Sequence, residues 1–363
     1  MGHLGKKKIA IWSLTRHGAK LAVKIRTALE KQFQMENMVP AGLSDVDGTA
    51  TPFDGLKATV ADRFRDFQGH IFIMAAGIAV RMTAPVIRHK TKDPAVVVVD
   101  EQGRHAVSLL SGHIGGANTL AREVSSAIGA VPVITTATDI NGLPAIDEIA
   151  AAKGLVIENP GAIKMVHMAM LEKNPIRVYD PYGFIRNELK DESLFRIDDE
   201  KDFSTVYKRW ANDPRTGVFV DDKSVDLHQN TLLIRPRHIV AGIGCNRNTP
   251  EEEIVGLIDS ALTTHGISML SIDSLASIDI KHDEPGLKAA AGKLGVPIRF
   301  FSSKELNLVN SIQNPSETVR RVTGAQSVCE AAAILGAGNG PLIIPKTKTR
   351  NVTLAVARTH YTS

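Results

Sequence analysis

The sequence predicts an α/β protein: two helix-covered, mainly parallel sheet domains joined by a smaller, less regular middle domain. Three observations predict it. Short apolar runs alternate with amphipathic stretches through the first third of the chain, as strand–helix units do. The same alternation returns in the last third with explicit helix start signals. Between them the periodicity fades and turn residues multiply. The implied domains are residues 1–140, 141–237 and 238–363.

Lys8 to Trp12 reads as the first strand. Leu21, Ala22, Ile25, Leu29 and Phe33 then recur at spacings of three and four, one face of a helix. His70 to Ala75 and Ala95 to Val99 are apolar and rich in β-branched residues, as strands buried on both faces are. Ala117, Leu120, Ala121, Val124, Ala127 and Ile128 mark a further helix that Gly129 closes, and Val131 to Thr135 another strand. Asn159-Pro160-Gly161, Asn174-Pro175, Asp180-Pro181-Tyr182-Gly183 and Asp213-Pro214 punctuate the middle region. His238 to Ile243 opens the last domain as a strand. Thr249-Pro250-Glu251-Glu252, Ser302 to Glu305 and Ser327 to Glu330 read as capping boxes, and Asn314 to Glu317 as an asparagine version. Leu342 to Ile344 and Val352 to Ala357 supply closing strands.

Composition narrows the function. Apolar residues are 43% and charged residues 23%, the balance of a globular protein. The longest apolar run, Ile71 to Val80, is about half of what a membrane span needs. No hydrophobic segment follows Lys6-Lys7-Lys8, so no secretory signal is expected, and Cys245 and Cys329 cannot form a disulfide framework. A cytoplasmic protein without membrane contact follows. The net charge is only +4 and aromatics are 5%, which argues against a nucleic-acid groove. Two acid-free basic stretches stand out. One is Met74 to Lys92 with Arg81, Arg88, Lys90 and Lys92; the other is Gly336 to Ser363 with Lys346, Lys348, Arg350 and Arg358. They suit a small anionic ligand or a solvated surface.

The richest motif runs from Leu110 to Asn118. Gly112, Gly115 and Gly116 let a backbone approach a ligand, and Ser111 and His113 add a hydroxyl and an imidazole. A strand's carboxyl end before a helix is where open α/β sheets place ligands, although a tight turn explains the glycines almost as well. The spacing is neither a dinucleotide fingerprint nor a Walker loop. Gly77 and Arg81 follow a second strand, with Arg81 suited to a carboxylate or simply solvated. Thr135 to Gly142 gathers oxygen-bearing side chains, including Asp139, with Asn141; it could position water or make an Asx turn.

In the last domain, Gly242-Ile243-Gly244-Cys245 is a Gly-rich strand end. Its cysteine would have a lowered pKa if it sat at a helix N-terminus, or would pack as a small apolar residue. Lys281 is a candidate anion contact, with Asp283 the cap of the helix that Pro285 starts. Lys346 and Lys348 sit in an expected loop, Pro345 to Asn351. His167, beside Met165, Met168 and Met170, reads as packing. No His-Glu-x-x-His pattern supports a zinc hydrolase, and no protein-held metal is expected.

Together these blocks resemble the CbiG family of anaerobic cobalamin biosynthesis. The likeness lies in Ala75-Ala76-Gly77-Ile78, Ser111 to Asn118, Gly242 to Cys245, Ala276 to Lys281, Asp283 to Leu287, Phe300 to Ser302, Ser311 to Thr318, Ser327 to Ala332 and Pro345-Lys346. After Cys245 the chain departs from it: Asn246 and Asn248 stand where the family has a basic pair and a glycine. The resemblance implies a hydrolase acting on a cobalt-bearing tetrapyrrole whose lactone joins a ring acetate to the former meso carbon. Water opens the lactone, and the two-carbon fragment leaves as acetaldehyde. No cofactor is implied beyond the cobalt that the substrate carries. In that scheme His113 is the general base or acid, and Ser111, Asp139 and Asn141 orient water or carbonyl. Backbone N–H groups around Gly115 and Gly116 bind the oxyanion. Gly77, Arg81, Gly112, Asn118, Gly242, Gly244, Lys281, Lys346 and Lys348 contact the substrate. The reading leaves room for transient contact with neighbouring pathway enzymes and for a homo-oligomer. Two other classes stay open: a non-catalytic corrinoid-binding or hand-over protein, and a nucleotide or sugar-phosphate enzyme.

Overall fold

A computed structural model describes residues 6–89, 92–113 and 115–360; Lys90 and Ile114, named above, lie outside the described residues. The chain forms two compact units, residues 1–149 and 150–363.

The first unit is built on seven strands: β1 (Lys8–Ser13), β2 (Gln34–Pro40), β3 (Thr51–Phe53), β4 (Gly69–Ile73), β5 (Ala95–Val99), β6 (His105–Leu110) and β7 (Val131–Val133). Their order is β3-β2-β1-β4-β5-β6-β7, parallel throughout except that β6 runs against β5. Strand residues alternate between faces. Ile9, Ile11, Ile71, Ile73, Val97 and Val99 meet the helices Arg16–Leu29 and Ala117–Ile128 through Ala22, Ile25, Leu120 and Val124. Ala10, Trp12, Phe72, Val96 and Val98 pack on the other face with Val60, Phe64 and Ala79, from the helix Leu56–Arg63, the turn after it and the helix Ala76–Thr83. Burial on both faces is why these strands read as unbroken apolar runs. Gly129 ends its helix in the left-handed conformation, as expected.

A titratable imidazole sits inside this core. His70 is fully buried: Trp12 Nε1 donates to its Nδ1 at 3.0 Å, so its Nε2–H faces the Phe64 carbonyl at 3.0 Å. Burial pushes its pKa down to about 4 from 6.5, because charging the ring there loses solvation. The unfolded chain therefore takes up a proton below pH 6.5 that the folded unit refuses. Stability should be full above pH 6.5 and fall by up to about 3 kcal/mol as pH drops toward 4. Urea unfolding at pH 7.5 and 5 measures this, and a His70→Gln chain should lack that part of the slope.

The second unit carries two five-stranded sheets. The first uses β8 (Val156–Ile157), β9 (Ile176–Tyr179), β10 (Phe195–Asp198), β11 (Gly217–Val220) and β12 (Thr231–Arg235), in the order β10-β9-β11-β12-β8, with only β8 antiparallel. The middle region is thus more regular than its sequence suggests. Strands of two to five residues are too short to show periodicity. The turns between them are organised by single side chains: the Asp180 carboxylate accepts from the N–H groups of Phe184, Ile185 and Arg186.

The second sheet uses β13 (Ile239–Cys245), β14 (Ile272–Ile278), β15 (Ile298–Phe301), β16 (Leu342–Lys348) and β17 (Val352–Arg358), in the order β15-β14-β13-β17-β16. The first three strands are parallel, and β17 and β16 are antiparallel. Buried Asp222 links the two sheets, accepting from His238 Nε2 at 2.8 Å and Arg358 Nη2 at 2.7 Å. Among the described residues no helix is long and apolar enough to cross a membrane.

The capping box at Ser302–Glu305 forms as expected. The asparagine version shifts by two residues, since Ser316 caps the helix Glu317–Thr323. The other two boxes do not form. Thr249 donates its hydroxyl to the Asn246 carbonyl, and its helix begins at Glu251 behind Pro250. Glu330 is buried and accepts instead from Gln313 N, Asn314 N and Nδ2, and Lys346 N. Glu284, not Asp283, precedes the helix Pro285–Leu294, while Asp283 pairs with Arg247.

Candidate functional site

Because β6 and β7 are parallel, the loops leaving their carboxyl ends lie side by side. Because β6 opposes β5, that edge is where β1, β4 and β5 begin, not where they end. The loop after β6 thus leaves a strand's carboxyl end ahead of a helix, as expected, but that strand runs against β5. Gly77, in the helix after β4, starts from the opposite edge, and Arg81 is exposed with its Nη1 donating to the Gly77 carbonyl at 3.1 Å.

The Ser111–Gly116 loop folds onto itself. Ser111 adopts φ +57°, and a Cβ on Gly115 would stand 2.3 Å from the Ser111 Cβ. Gly112 has the same reason to be glycine, since a Cβ there would meet the Asn118 Oδ1 at 2.8 Å. Loop carbonyls take up the helix's first N–H groups: Gly116 N donates to His113, Ala117 N to Ser111 and Asn118 N to Gly112. Gly116 N–H is therefore committed, a correction to its expected role as an oxyanion donor.

Side chains converge beside this loop. Buried Asn118 accepts from Ser108 Oγ at 2.7 Å, and its Nδ2 donates to Thr136 Oγ1 at 3.0 Å and Asp139 Oδ2 at 2.9 Å. His113 Nε2 lies 3.3 Å from Asp139 Oδ2 and 3.0 Å from Thr138 Oγ1. The Asp139 carboxylate can only accept, so the tautomer that meets it carries its proton on Nε2. Asp147 Oδ2 lies 3.7 Å from Nδ1. Arg122 Nη2 binds the other Asp139 oxygen. Burial works to raise the Asp139 pKa, but the bonds from Arg122 and His113 outweigh it and hold it below the usual carboxylate range. Glu148 goes the other way: burial, then the charges of Asp139 and Asp147, push it up to about 7. Asn141 stays outside; it is exposed and its Nδ2 donates to the Ala137 carbonyl at 2.8 Å.

The second unit holds a cavity of about 730 Å³. Arg247, Lys281, Lys346, Lys348 and Arg350 line it, together with apolar Ile280, Val319 and Val322, and no lining residue is Asp or Glu. Lys346 and Lys348 reach it from strand β16, not from a loop as expected; the turn is confined to residues 349–351. Gly244 lines the cavity, whereas Gly242 lies under the helix Cys329–Gly336. Cys245 also faces the cavity, and burial pushes its thiol up despite Lys281 and Arg247 nearby. The expectation of a lowered thiol pKa is overturned, since Cys245 ends a strand six residues before the next helix begins.

Residues 58–139, 144–236 and 239–357 match, in that order, families described as Cobalamin synthesis G N-terminal, Cobalamin biosynthesis central region and Cobalamin synthesis G C-terminus. A cobalt-precorrin-5A hydrolase from Priestia megaterium is 33% identical over 365 residues, covering 97% of this chain and 95% of that protein. The chain belongs to the CbiG family. A second CbiG relative, the cobalt-precorrin-5A hydrolase of Salmonella typhimurium, is 31% identical over 364 residues, covering 99% of this chain and 100% of that one. Protein CobE of Sinorhizobium is 38% identical over 121 residues, a third of this chain and 79% of its own.

Three residues in this CbiG chain's His113 cluster were not singled out from sequence: Arg122, Asp147 and Glu148. Arg122 had a signal, because it follows Asn118 by four positions and so shares its helix face. Asp147 and Glu148 had none, since their place depends on how residues 141–146 return the chain toward His113. Asn248 adopts φ +58°, a conformation asparagine tolerates better than most residues.

Proposed function

We propose that this chain hydrolyses cobalt-precorrin 5A, opening its lactone and releasing the two-carbon fragment as acetaldehyde. The observation that carries this is the end-to-end likeness to proteins named for that activity. His113 serves as the base that takes a proton from attacking water. Asp139, kept ionised by Arg122, holds the imidazole by its Nε2–H and stabilises the cation that forms. When the C–C bond breaks, the macrocycle accepts the electron pair, so the scheme calls for no cofactor beyond the substrate's own cobalt. We place the reaction in the cytoplasm, where Cys245 and Cys329 stay free thiols.

The cavity of the second unit supports recognition of the same substrate. A flat macrocycle offers an apolar face to Ile280, Val319 and Val322, and its acetate and propionate arms suit an all-cationic rim. The nucleotide reading finds no support, because the helix N–H groups that would bind phosphate are already bonded within the Ser111 loop.

Anaerobic incubation with cobalt-precorrin 5A should yield acetaldehyde with each turnover. Tight binding without aldehyde would favour the hand-over protein instead. A Lys346→Ala, Lys348→Ala chain should bind the cobalt-corrinoid about tenfold more weakly and with a flatter dependence on sodium chloride. An unchanged affinity at every salt concentration would reject the cavity's role.

A further inference from the structure

We infer that Glu148 is a second catalytic residue, a carboxylic acid that gives a proton to one substrate oxygen and later takes it back. This deepens the hydrolase reading and depends on it. His113, Asp139 and Glu148 each place one donor or acceptor atom within 4.8 Å of the others, within the reach of one bridging water. Glu148 Oε1 is buried and has no hydrogen-bond partner among the described residues, while the carboxyl also hydrogen-bonds Asn118.

The charges around it explain why it keeps that proton. Asp139 and Asp147 face it with negative charge, and Asn118 offers only an amide. The one guanidinium at the cluster, Arg122, bonds Asp139 directly. Two neighbouring carboxyl groups are thus driven apart: Asp139 stays ionised, and Glu148 stays protonated up to about pH 7. A group balanced there can donate and accept with little cost in either direction.

The chemistry asks for such a group at one atom. In the first step water's oxygen bonds to the lactone carbonyl carbon, and His113 takes one of its protons. The acyl C–O bond then breaks, and the departing ring oxygen takes the Glu148 proton, leaving a carboxylic acid and an alcohol. In the second step the same alcohol must lose its proton: Glu148, now a carboxylate, removes it as the C=O bond forms. The C–C bond to the macrocycle breaks, its electron pair enters the conjugated ring, and acetaldehyde leaves. Glu148 ends protonated as it began, and the His113 proton goes to solvent.

Single-turnover assays of Glu148→Gln from pH 5 to 9 test this. Glutamine keeps the shape and loses the transferable proton. Acetaldehyde release should fall roughly 10²–10⁴-fold, with the pH dependence near 7 abolished, and Glu148→Asp should recover part of the rate. In the substrate-free protein, a component of the protonated-carboxyl infrared band should disappear as pH rises through about 7, and the wild-type minus Glu148→Gln difference spectrum should isolate it from the Asp221 contribution, which titrates in the same range. Wild-type rate and pH profile in Glu148→Gln, beside an inactive His113→Ala, would overturn the assignment to Glu148 alone. A fully ionised Glu148 at pH 6 would overturn it as well. Failure of the wild-type chain to release acetaldehyde would instead overturn the hydrolase reading beneath it.

Discussion

His113→Ala should lower the turnover of acetaldehyde release by roughly 10²–10⁴-fold while leaving the affinity for cobalt-precorrin 5A almost unchanged. The imidazole belongs to the first unit, whereas the cations proposed to hold carboxylate arms line the cavity of the second. Asp139→Asn separates the base from its support. An amide facing Nε2 can present its own N–H, which removes the reason for the ring to keep a proton there and leaves Arg122 without its carboxylate. Its rate should therefore fall toward that of His113→Ala, whereas Asn141→Ala should keep most of the activity, because that amide only bonds the Ala137 carbonyl. Burst kinetics and equilibrium binding measure both quantities. A His113→Ala chain that turns over normally would assign water activation to another group.

How much of this was legible depended on whether the determining contact was local. Ala95 to Val99 became β5 with the expected limits, and the helix Ala117–Ile128 ended at Gly129, because burial on both faces and a left-handed cap leave local marks. The box at Ser302 formed for the same reason. At Thr249 and Ser327 an identical spacing failed: Thr249 bonds the Asn246 carbonyl just before it, and Glu330 turns inward to bind residues from two other segments. The candidate histidine was singled out from its loop. Asp139 was singled out with it, but Arg122, Asp147 and Glu148 were not, because the cluster follows from one antiparallel strand: β6 reverses, pairs with β7 and brings these segments beside His113. No run of residues within β6 announces its direction. The basic residues of β16 were found, but alternating lysine and threonine looked like a turn when it was a strand with one face toward a cavity.

Glycines near a suspected site invite a functional explanation, and Gly242 is where packing supplies a better one. A Cβ there would lie 2.0 Å from the Cys329 carbonyl oxygen and 2.6 Å from the Ala333 nitrogen, both backbone atoms of the helix Cys329–Gly336. The helix cannot retreat cheaply, because Cys329, Ala331, Ala332, Ala333 and Ile334 are all buried against the sheet. The strand cannot retreat either: β13 is central, bonded to β14 on one side and β17 on the other. Gly242→Ala should therefore cost about 3 kcal/mol or more, read as an earlier urea transition of the second unit. Gly256→Ala is the matched control. It lies on the helix Glu251–Thr264 with open space around its Cβ, and should stabilise by about 0.5–1 kcal/mol. A Gly242→Ala chain as stable as the wild type would mean the helix does not cross β13 this closely. Reduced corrinoid binding at full stability would return Gly242 to the ligand, since a steric clash with the helix must show first in folding.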